Sequence, residues 1–354
     1  MLDNIIFSLQ KMGGISVYWY ELLKRVSQEQ NIKTEIYQFK ANNFHAMEKK
    51  ITQLDLSTQV ESKFPLTLVR YLPFRIQVNR QSLFHSSYYR IAKGAKNIVT
   101  IYDFTYEFYR TGLSRWVHTR QKNYAINNAA GIICISENTK NDLYKVFPDL
   151  KTPVKVIYIG KSDSFHVLPE SHQYSEQINQ LKSIKFVLFV GARAGYKNFS
   201  SLVDALVSYT DISLVIVGAA LSEEESIYLK QRINDRYVFA GFVNDAQLNE
   251  LYNLAYCFIY PSEYEGFGIP VSEAMAAGCP VIAMNRSSIP EVSGNAGFLY
   301  EDLTEDTLRQ YFSVLDEPLQ RKQIINLGVE QAKKFNWDKC YGQTIDFYKE
   351  INKL

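Results

Sequence analysis

Long apolar runs are missing. No stretch reaches the ~18 consecutive apolar residues that a membrane-crossing helix needs, so none is expected. The opening Met1-Leu2-Asp3-Asn4 has no basic stretch ahead of an apolar one, so no secretory signal is expected either. Cysteine is scarce: Cys134, Cys257, Cys279 and Cys340 lie far apart in apolar surroundings. This excludes a disulfide framework and a Cys/His zinc cluster, and implies reduced, buried thiols and a cytoplasmic protein. No Gly-x-Gly-x-x-Gly follows a strand-like run, which counts against an NAD-dependent dehydrogenase. No nucleic-acid module is present, so no nucleic-acid partner is expected.

What is present points to an α/β enzyme of two domains. A chain of 354 residues, 46% hydrophobic and 21% charged, can build two cores. Strand-like runs at Asn4–Leu9, Ser82–His85, Asn97–Tyr102, Gly131–Ser136 and Val154–Ile159 alternate with helix-length segments such as Leu113–Ala129. That is the rhythm of a parallel sheet. The polar stretch Gly160–Ser183 interrupts it and reads as a linker. The rhythm restarts with Lys185–Val190, Ile212–Val217, Tyr237–Ala240, Tyr256–Tyr260 and Pro280–Ala283, and three helices close the chain. The expected division is a domain over 1–165, a second over 166–335, and a last helix over 336–354 that could pack back on the first. Two doubly wound parallel sheets would face each other across a ligand cleft. The net charge of +2 hides an asymmetry. Residues 1–165 carry 23 Lys+Arg against 13 Asp+Glu, a balance of +10, and residues 166–354 carry 16 against 24, a balance of −8. The basic half is expected to meet something anionic.

The segment from Pro261 to Gly278 holds the strongest motif. It leaves a strand end and enters a helix, with Pro270 suited to the first turn and Gly278 to the position after the last. Gly266 and Gly268 let the backbone approach a ligand at the helix N-terminus, where free N–H groups and a partial positive charge favour a diphosphate. Glu265 in the loop and Glu273 one turn into the helix can face the same molecule, each accepting two hydroxyls of a vicinal diol.

These residues resemble glycosyltransferase family 4, the retaining family of GT-B fold. The Glu-x7-Glu of Glu265 and Glu273 matches, as do Phe239-Ala-Gly-Phe-Val, Tyr260-Pro-Ser, Pro280-Val-Ile-Ala and Ser287-Ser-Ile-Pro-Glu-Val, and the likeness runs from Gly191 to Val292. It extends more weakly to Gly13-Gly14. The resemblance implies that Glu273 binds the donor ribose and Glu265 lies at the donor sugar. It implies that Gly266, Phe267, Gly268 and Ile269 surround the diphosphate, and that Arg193 and Lys197 neutralise it. Gly13 and Gly14 would approach the diphosphate and the acceptor, and Phe242 and Val243 the base. The family's His-Asp pair is here Tyr102-Asp103. Asp103 is carried over as catalytic, and Tyr102 and His85 are alternative contacts to sugar or acceptor.

The implied reaction is retaining hexosyl transfer from a nucleotide sugar, GDP-mannose or a related donor ahead of UDP-sugars, as in mannosyltransferases of O-antigen and capsule assembly. No cofactor or metal is expected: there is no Asp-x-Asp motif, and cations and a helix N-terminus supply charge stabilisation. A GT-B epimerase or a non-catalytic nucleotide-sugar-binding protein are the alternatives. The acceptor would be a glycan, carried on a polyprenyl diphosphate. Two basic and aromatic stretches, Phe64–Arg75 and Phe104–Arg120, suit an anionic membrane surface and peripheral attachment to the inner face of the cell membrane.

Overall fold

The computed structural model describes residues 1–10, 13–29, 34–39, 57–60, 66–74, 82–193 and 195–353. Phe64, Pro65 and Arg75 of the first basic stretch lie outside the described residues, as does Ala194 of the basic loop. The chain divides into two compact units: Met1–Gly160 with Asn336–Leu354, and Lys161–Phe335.

Unit 1 holds strands β1 (Leu2–Asp3), β2 (Ile36–Phe39), β3 (Ser57–Val60), β4 (Leu83–His85), β5 (Lys96–Ile101), β6 (Gly131–Cys134) and β7 (Val154–Val156). They form one parallel sheet in the order β3-β2-β1-β4-β5-β6-β7. Unit 2 holds β8 (Phe186–Val190), β9 (Ser213–Val217), β10 (Tyr237–Gly241), β11 (Cys257–Tyr260), β12 (Val281–Met284) and β13 (Gly297–Tyr300), parallel in the order β10-β9-β8-β11-β12-β13. Both orders are Rossmann-like. The central strands are continuous apolar runs because helices cover both faces of a parallel sheet. Phe186, Val187, Leu188 and Phe189 of β8 are all buried.

Capping residues set the helix starts. Ser222 with Glu225 and Asn244 with Gln247 form capping boxes, each pair exchanging side-chain and backbone bonds, and Ser136 caps Glu137–Val146 alone. Residues 161–183 fold with unit 2: the buried Glu250 carboxylate accepts from Ser175 N–H, Ser175 Oγ and His172 Nε2, holding this stretch on the helix Asp245–Leu254. The four cysteines are free and buried.

The expected first strand, Asn4–Leu9, is corrected. Pairing stops at Asp3, and Ile6–Leu9 is helical. Side chains take over where the ladder ends. The Asp3 carboxylate accepts from Ser86 Oγ (2.8 Å), Ser87 N–H (2.8 Å) and Ser87 Oγ (2.6 Å), and Asn4 Oδ1 accepts from Phe39 N–H (2.8 Å). The buried Arg90 guanidinium lies 3.5 Å from Asp3. One carboxylate thus ties the ends of β1 and β4 together. Asp3→Ala would strand a buried cation and two hydroxyls. We expect unit 1 to lose about 3–5 kcal/mol in denaturant unfolding, since breaking a buried pair leaves its partner uncompensated; an unchanged midpoint would contradict this.

Candidate functional site

In unit 2 the strand order reverses between β8 and β11. Connections leave these strands toward opposite faces of the sheet, which opens a crevice at their carboxyl ends. The loops meeting there are 191–198, after β8, and 261–268, after β11. β8 leads into Gly191, and β9 and β10 into Gly218 and Gly241, all three glycines having positive φ (+130°, +149° and +69°). A Cβ on Gly218 would lie 2.6 Å from the Gly191 carbonyl oxygen, so no larger residue fits.

Lys197 ends a short 3-10 turn, Gly195–Lys197, and Asn198 (φ +51°) redirects the chain into the helix Phe199–Ala205. The Glu263 N–H donates to the Tyr196 carbonyl (2.9 Å), stitching the two loops. Lys197 Nζ then pairs with Glu265 Oε1, and the Tyr260 hydroxyl donates to the same oxygen at 2.5 Å. Burial and the Glu265 charge hold the Tyr260 hydroxyl well above its ordinary pKa. The loop after β12 fixes the Glu265 backbone: its N–H donates to Ser287 Oγ (2.9 Å) and its carbonyl accepts from Ser288 Oγ (3.0 Å).

Gly268 (φ +94°) opens the helix Ile269–Ala276, with Pro270 in its first turn. First-turn N–H groups have no partner in a preceding turn, so Gly268 and Ile269 present donors beside Glu265. Phe267 contributes only backbone there, because its ring is buried against Phe335. Glu273 is half-buried, and enclosure of its carboxyl raises its pKa to about 8. The Asp245 charge adds to the rise, while the Tyr252 hydroxyl and Lys161 oppose it. Phe242, after β10, leaves 79% of its surface exposed, and Val243 is half-buried.

The expected basic pair is split. Lys197 faces Glu265, but Arg193 turns to Glu225, its Nε at 2.8 Å from Oε1 and its Nη2 at 3.0 Å from Oε2. Nη2 also donates to the carbonyls of Ala219 and Ala220. Nη1 is buried with no hydrogen-bond partner among the described residues. It would lie 3.7 Å from a Cβ placed on Gly218.

In unit 1, Gly13 is extended and precedes the helix Gly14–Gln28, its carbonyl accepting from Ser16 Oγ (2.7 Å). Gly14 is exposed. Asp103 is half-buried, Oδ1 accepting from Thr105 N–H (3.0 Å), and its carbonyl accepts from Lys122 Nζ (2.8 Å). Lys122 is buried in an ion pair with Glu107 (2.8 Å). Two expected ligand contacts are corrected to core positions. Tyr102 is buried, its hydroxyl accepting from Trp19 Nε1 at 2.6 Å. His85 is fully buried, its ring nitrogens meeting Tyr348 OH (2.5 Å) and Thr100 Oγ1 (2.8 Å), and desolvation lowers its pKa to about 3. A ring in that setting is a neutral packing group.

Sequence reasoning did not single out Tyr260, Ser287 and Ser288 as site residues, although all three lie in the matching run. Tyr252 lies in that run too, and Glu225 falls within its bounds without belonging to a matched motif. Among the described residues no group of three or more His, Cys, Asp or Glu is placed to hold a metal ion.

Residues 170–330 match the family model described as glycosyl transferases group 1. O-antigen chain mannosyltransferase B of Escherichia coli is 29% identical over 241 residues, covering 64% of this chain and 62% of that protein. O-antigen chain mannosyltransferase RfbU of Salmonella typhimurium is 27% identical over 233 residues, covering 64% and 62%. The chain therefore spans less than two thirds of the length of these relatives. Among solved structures, sucrose-phosphate synthase of Thermosynechococcus elongatus superposes with a TM-score of 0.74 at 17% identity, covering 99% of this chain and 98% of that one. An Anabaena protein, HepE, crystallised with UDP and glucose, superposes with a TM-score of 0.72 at 18% identity, covering 98% of each chain. These likenesses show the fold, two Rossmann-like domains of the GT-B class.

Glu273 gives a test of the site's electrostatics. Its pKa is about 8 in the folded state against an ordinary 4.5. A raised folded pKa contributes stability that is present below the unfolded value and lost as pH rises through the folded one. In Glu273→Gln this dependence disappears. Without nucleotide, the thermal midpoint of the variant should gain on that of the wild type as pH rises from about 4.5 to about 8, then run parallel. Curves parallel throughout would mean that the carboxyl is not enclosed.

Proposed function

We propose, from the premise that residues 170–330 form a group 1 glycosyl transferase domain, that the protein transfers a hexose with retention from a nucleoside-diphosphate sugar to a glycan acceptor, in surface polysaccharide synthesis. The observation that carries this reading is the Lys197–Glu265–Tyr260 cluster beside the Gly268 helix entry, at the strand-order reversal of unit 2.

Both named contacts to Glu265 fall on Oε1, which leaves Oε2 for a donor sugar hydroxyl. Glu273 takes the ribose diol, whose hydrogen bonds favour its charged form and lower its pKa on binding. The diphosphate lies at the N–H groups of Gly268 and Ile269, between Lys197 and the unpartnered Nη1 of Arg193. The exposed Phe242 ring offers a face to the base. The acceptor hydroxyl attacks the anomeric carbon on the face the nucleotide leaves. As the bond to the diphosphate oxygen breaks, a leaving-phosphate oxygen takes the acceptor's proton. The growing negative charge is met by Lys197, Arg193 and the helix dipole, so transfer needs no metal.

The names of the relatives support mannose as the sugar, hence GDP-mannose, with UDP-sugars next by the ligands in the HepE title. The acceptor glycan is borne on a polyprenyl diphosphate at the inner face of the cell membrane, with Asp103 and Gly13-Gly14 on the acceptor side. No helix among the described residues is long and apolar enough to cross a membrane, and the attachment we propose is peripheral.

The deciding experiment incubates the purified protein with a panel of nucleotide sugars and a lipid-linked acceptor, and reads the anomeric configuration of the product. An inverted linkage, or no transfer from any donor, overturns the reading. Lys197→Ala should lower kcat about 100-fold with the fold intact, as loss of a transition-state charge partner does. Glu273→Ala should weaken nucleoside diphosphate affinity by about 1.5–3 kcal/mol in calorimetry, the worth of hydrogen bonds to a charged group. Activity should survive EDTA. Abolition by EDTA with recovery on added Mn²⁺ would refute the metal-free mechanism.

A further inference from the structure

We infer that a cavity on unit 1 seats the phosphate of an anionic membrane lipid. This rests on the membrane-linked acceptor proposed above and says where unit 1 would meet the bilayer. The cavity, of about 280 Å³, lies between residues 70–73, residues 89–91 and the helix Gly112–Asn127. Three guanidiniums line it, those of Arg70, Arg90 and Arg120.

They are not equivalent. Arg90 is 5% exposed, its Nε donating to the Leu72 carbonyl (3.1 Å), and its charge is offset by Asp3 at 3.5 Å. The atom that faces Asp3 is its buried Nη1, so Arg90 adds its charge to the cavity wall more than a free donor. Arg70 and Arg120 have no carboxylate within ion-pair distance among the described residues. Aromatic rings hold them instead: Arg70 lies 4.5 Å from the Tyr71 ring centre, and Arg120 lies 5.3 Å from that of Trp116. Arg70 also donates an Nη2 hydrogen to the Tyr71 hydroxyl, whereas Arg120 is held by stacking, which orients a guanidinium without consuming its N–H fork, and that fork matches two phosphate oxygens.

An apolar rim surrounds these cations. Leu113, Trp116 and Tyr124 are 75%, 58% and 55% exposed. Their spacing, three and eight residues, puts them on one face of their helix together with Arg120. Leu68 (56%) and Leu72 (46%) stand in the facing segment. Arg115 flanks Trp116 in a shallower cavity beside the first. Exposed apolar side chains gathered in one patch mark an interaction surface. Trp and Tyr mixed with arginines belong at the headgroup level of a bilayer. A soluble phosphate would use the guanidiniums and leave the rim unexplained. A lipid phosphate uses both, its ester among the arginines and its glycerol and acyl carbons against Trp116, Leu113 and Leu72.

Co-sedimentation with vesicles tests this. Wild type should bind phosphatidylcholine vesicles containing phosphatidylglycerol, ignore vesicles of phosphatidylcholine alone, and weaken between about 0.1 M and about 1 M salt as the screening length drops from ~10 Å to ~3 Å. Arg70→Gln with Arg120→Gln should bind the mixed vesicles roughly 30-fold more weakly, the effect of two basic residues at the surface. Lys145→Gln with Lys151→Gln, an equal charge change elsewhere in unit 1, should lose little. Trp116→Ala should weaken binding at both salt concentrations, and circular dichroism should match wild type in every variant. The inference is overturned if wild type ignores mixed vesicles, if both double variants lose equally, or if inorganic diphosphate stabilises unit 1 through Arg70 and Arg120 while vesicles do not bind. Nucleoside diphosphate affinity, read alongside, keeps the two proposals apart. Vesicle binding without nucleotide binding defeats the donor assignment alone, and the reverse defeats this one alone.

Discussion

Two segments far apart in sequence, one carrying Lys197 and the other Tyr260 and Glu265, bring a carboxylate, an ammonium and a phenol together, and the carboxyl edge of the second sheet is arranged about that contact. With the Lys197 and Glu265 side chains only 16% and 14% exposed, each ion has given up much of its water. Such a pair holds only if further hydrogen bonds satisfy it, and removing one member strands the other. The Tyr260 hydroxyl and the Ser287–Ser288 clamp on the Glu265 backbone provide that support. The strand order makes the meeting possible. Only the loops after β8 and β11 flank the reversal, so Lys197 and Glu265 are neighbours by topology before any side chain is considered.

Much of this was legible in the sequence because local rules and global fold agree there. Alternating apolar runs located β4 to β12, and Asn244, Pro270 and Gly278 occupy the helix-end positions that their chemistry favours. The rest was not legible, for identifiable reasons. Ile5, Ile6 and Phe7 read as a strand because a short buried apolar run carries no period; the ladder ends at Asp3, where side chains replace it. β2 and β13 lacked a clean run, Tyr-Gln in the one and an initial glycine in the other. The family resemblance pairs Arg193 with Lys197, but a bidentate fork seeks a carboxylate, and the capping box that fixes Glu225 presents one. Tyr102 and His85 stand at strand ends, where ligand contacts are found, yet both project into packed interior, which a one-dimensional pattern does not distinguish.

The two glutamates of the motif show how environment separates like groups. Glu265 has a cation and a phenol on one oxygen. Glu273 is enclosed without so close a cation, with Asp245 adding repulsion, and its pKa is lifted to about 8. A carboxyl held near neutrality gains its charge when hydroxyl donors arrive, so the unliganded site keeps a polarity that ligand binding completes.

The basic excess of unit 1 is local as well as global. Several of its cations are answered among the described residues: Arg25 by Glu21 and Asp338, Lys122 by Glu107, Lys145 by Asp142, Arg90 by Asp3. Lys96 donates to the carbonyls of Ile351 and Asn352, at the negative end of the last helix. Arg70 and Arg120 have no such answer among the described residues, and they stand where rings and leucines are left in water. Charge spread evenly over a surface serves solubility and needs no apolar neighbours. Charge collected beside Trp116, held by rings instead of carboxylates, has no acid to neutralise it among the described residues and stands beside exposed hydrocarbon. That combination is self-consistent only if both are covered at once by something anionic and apolar.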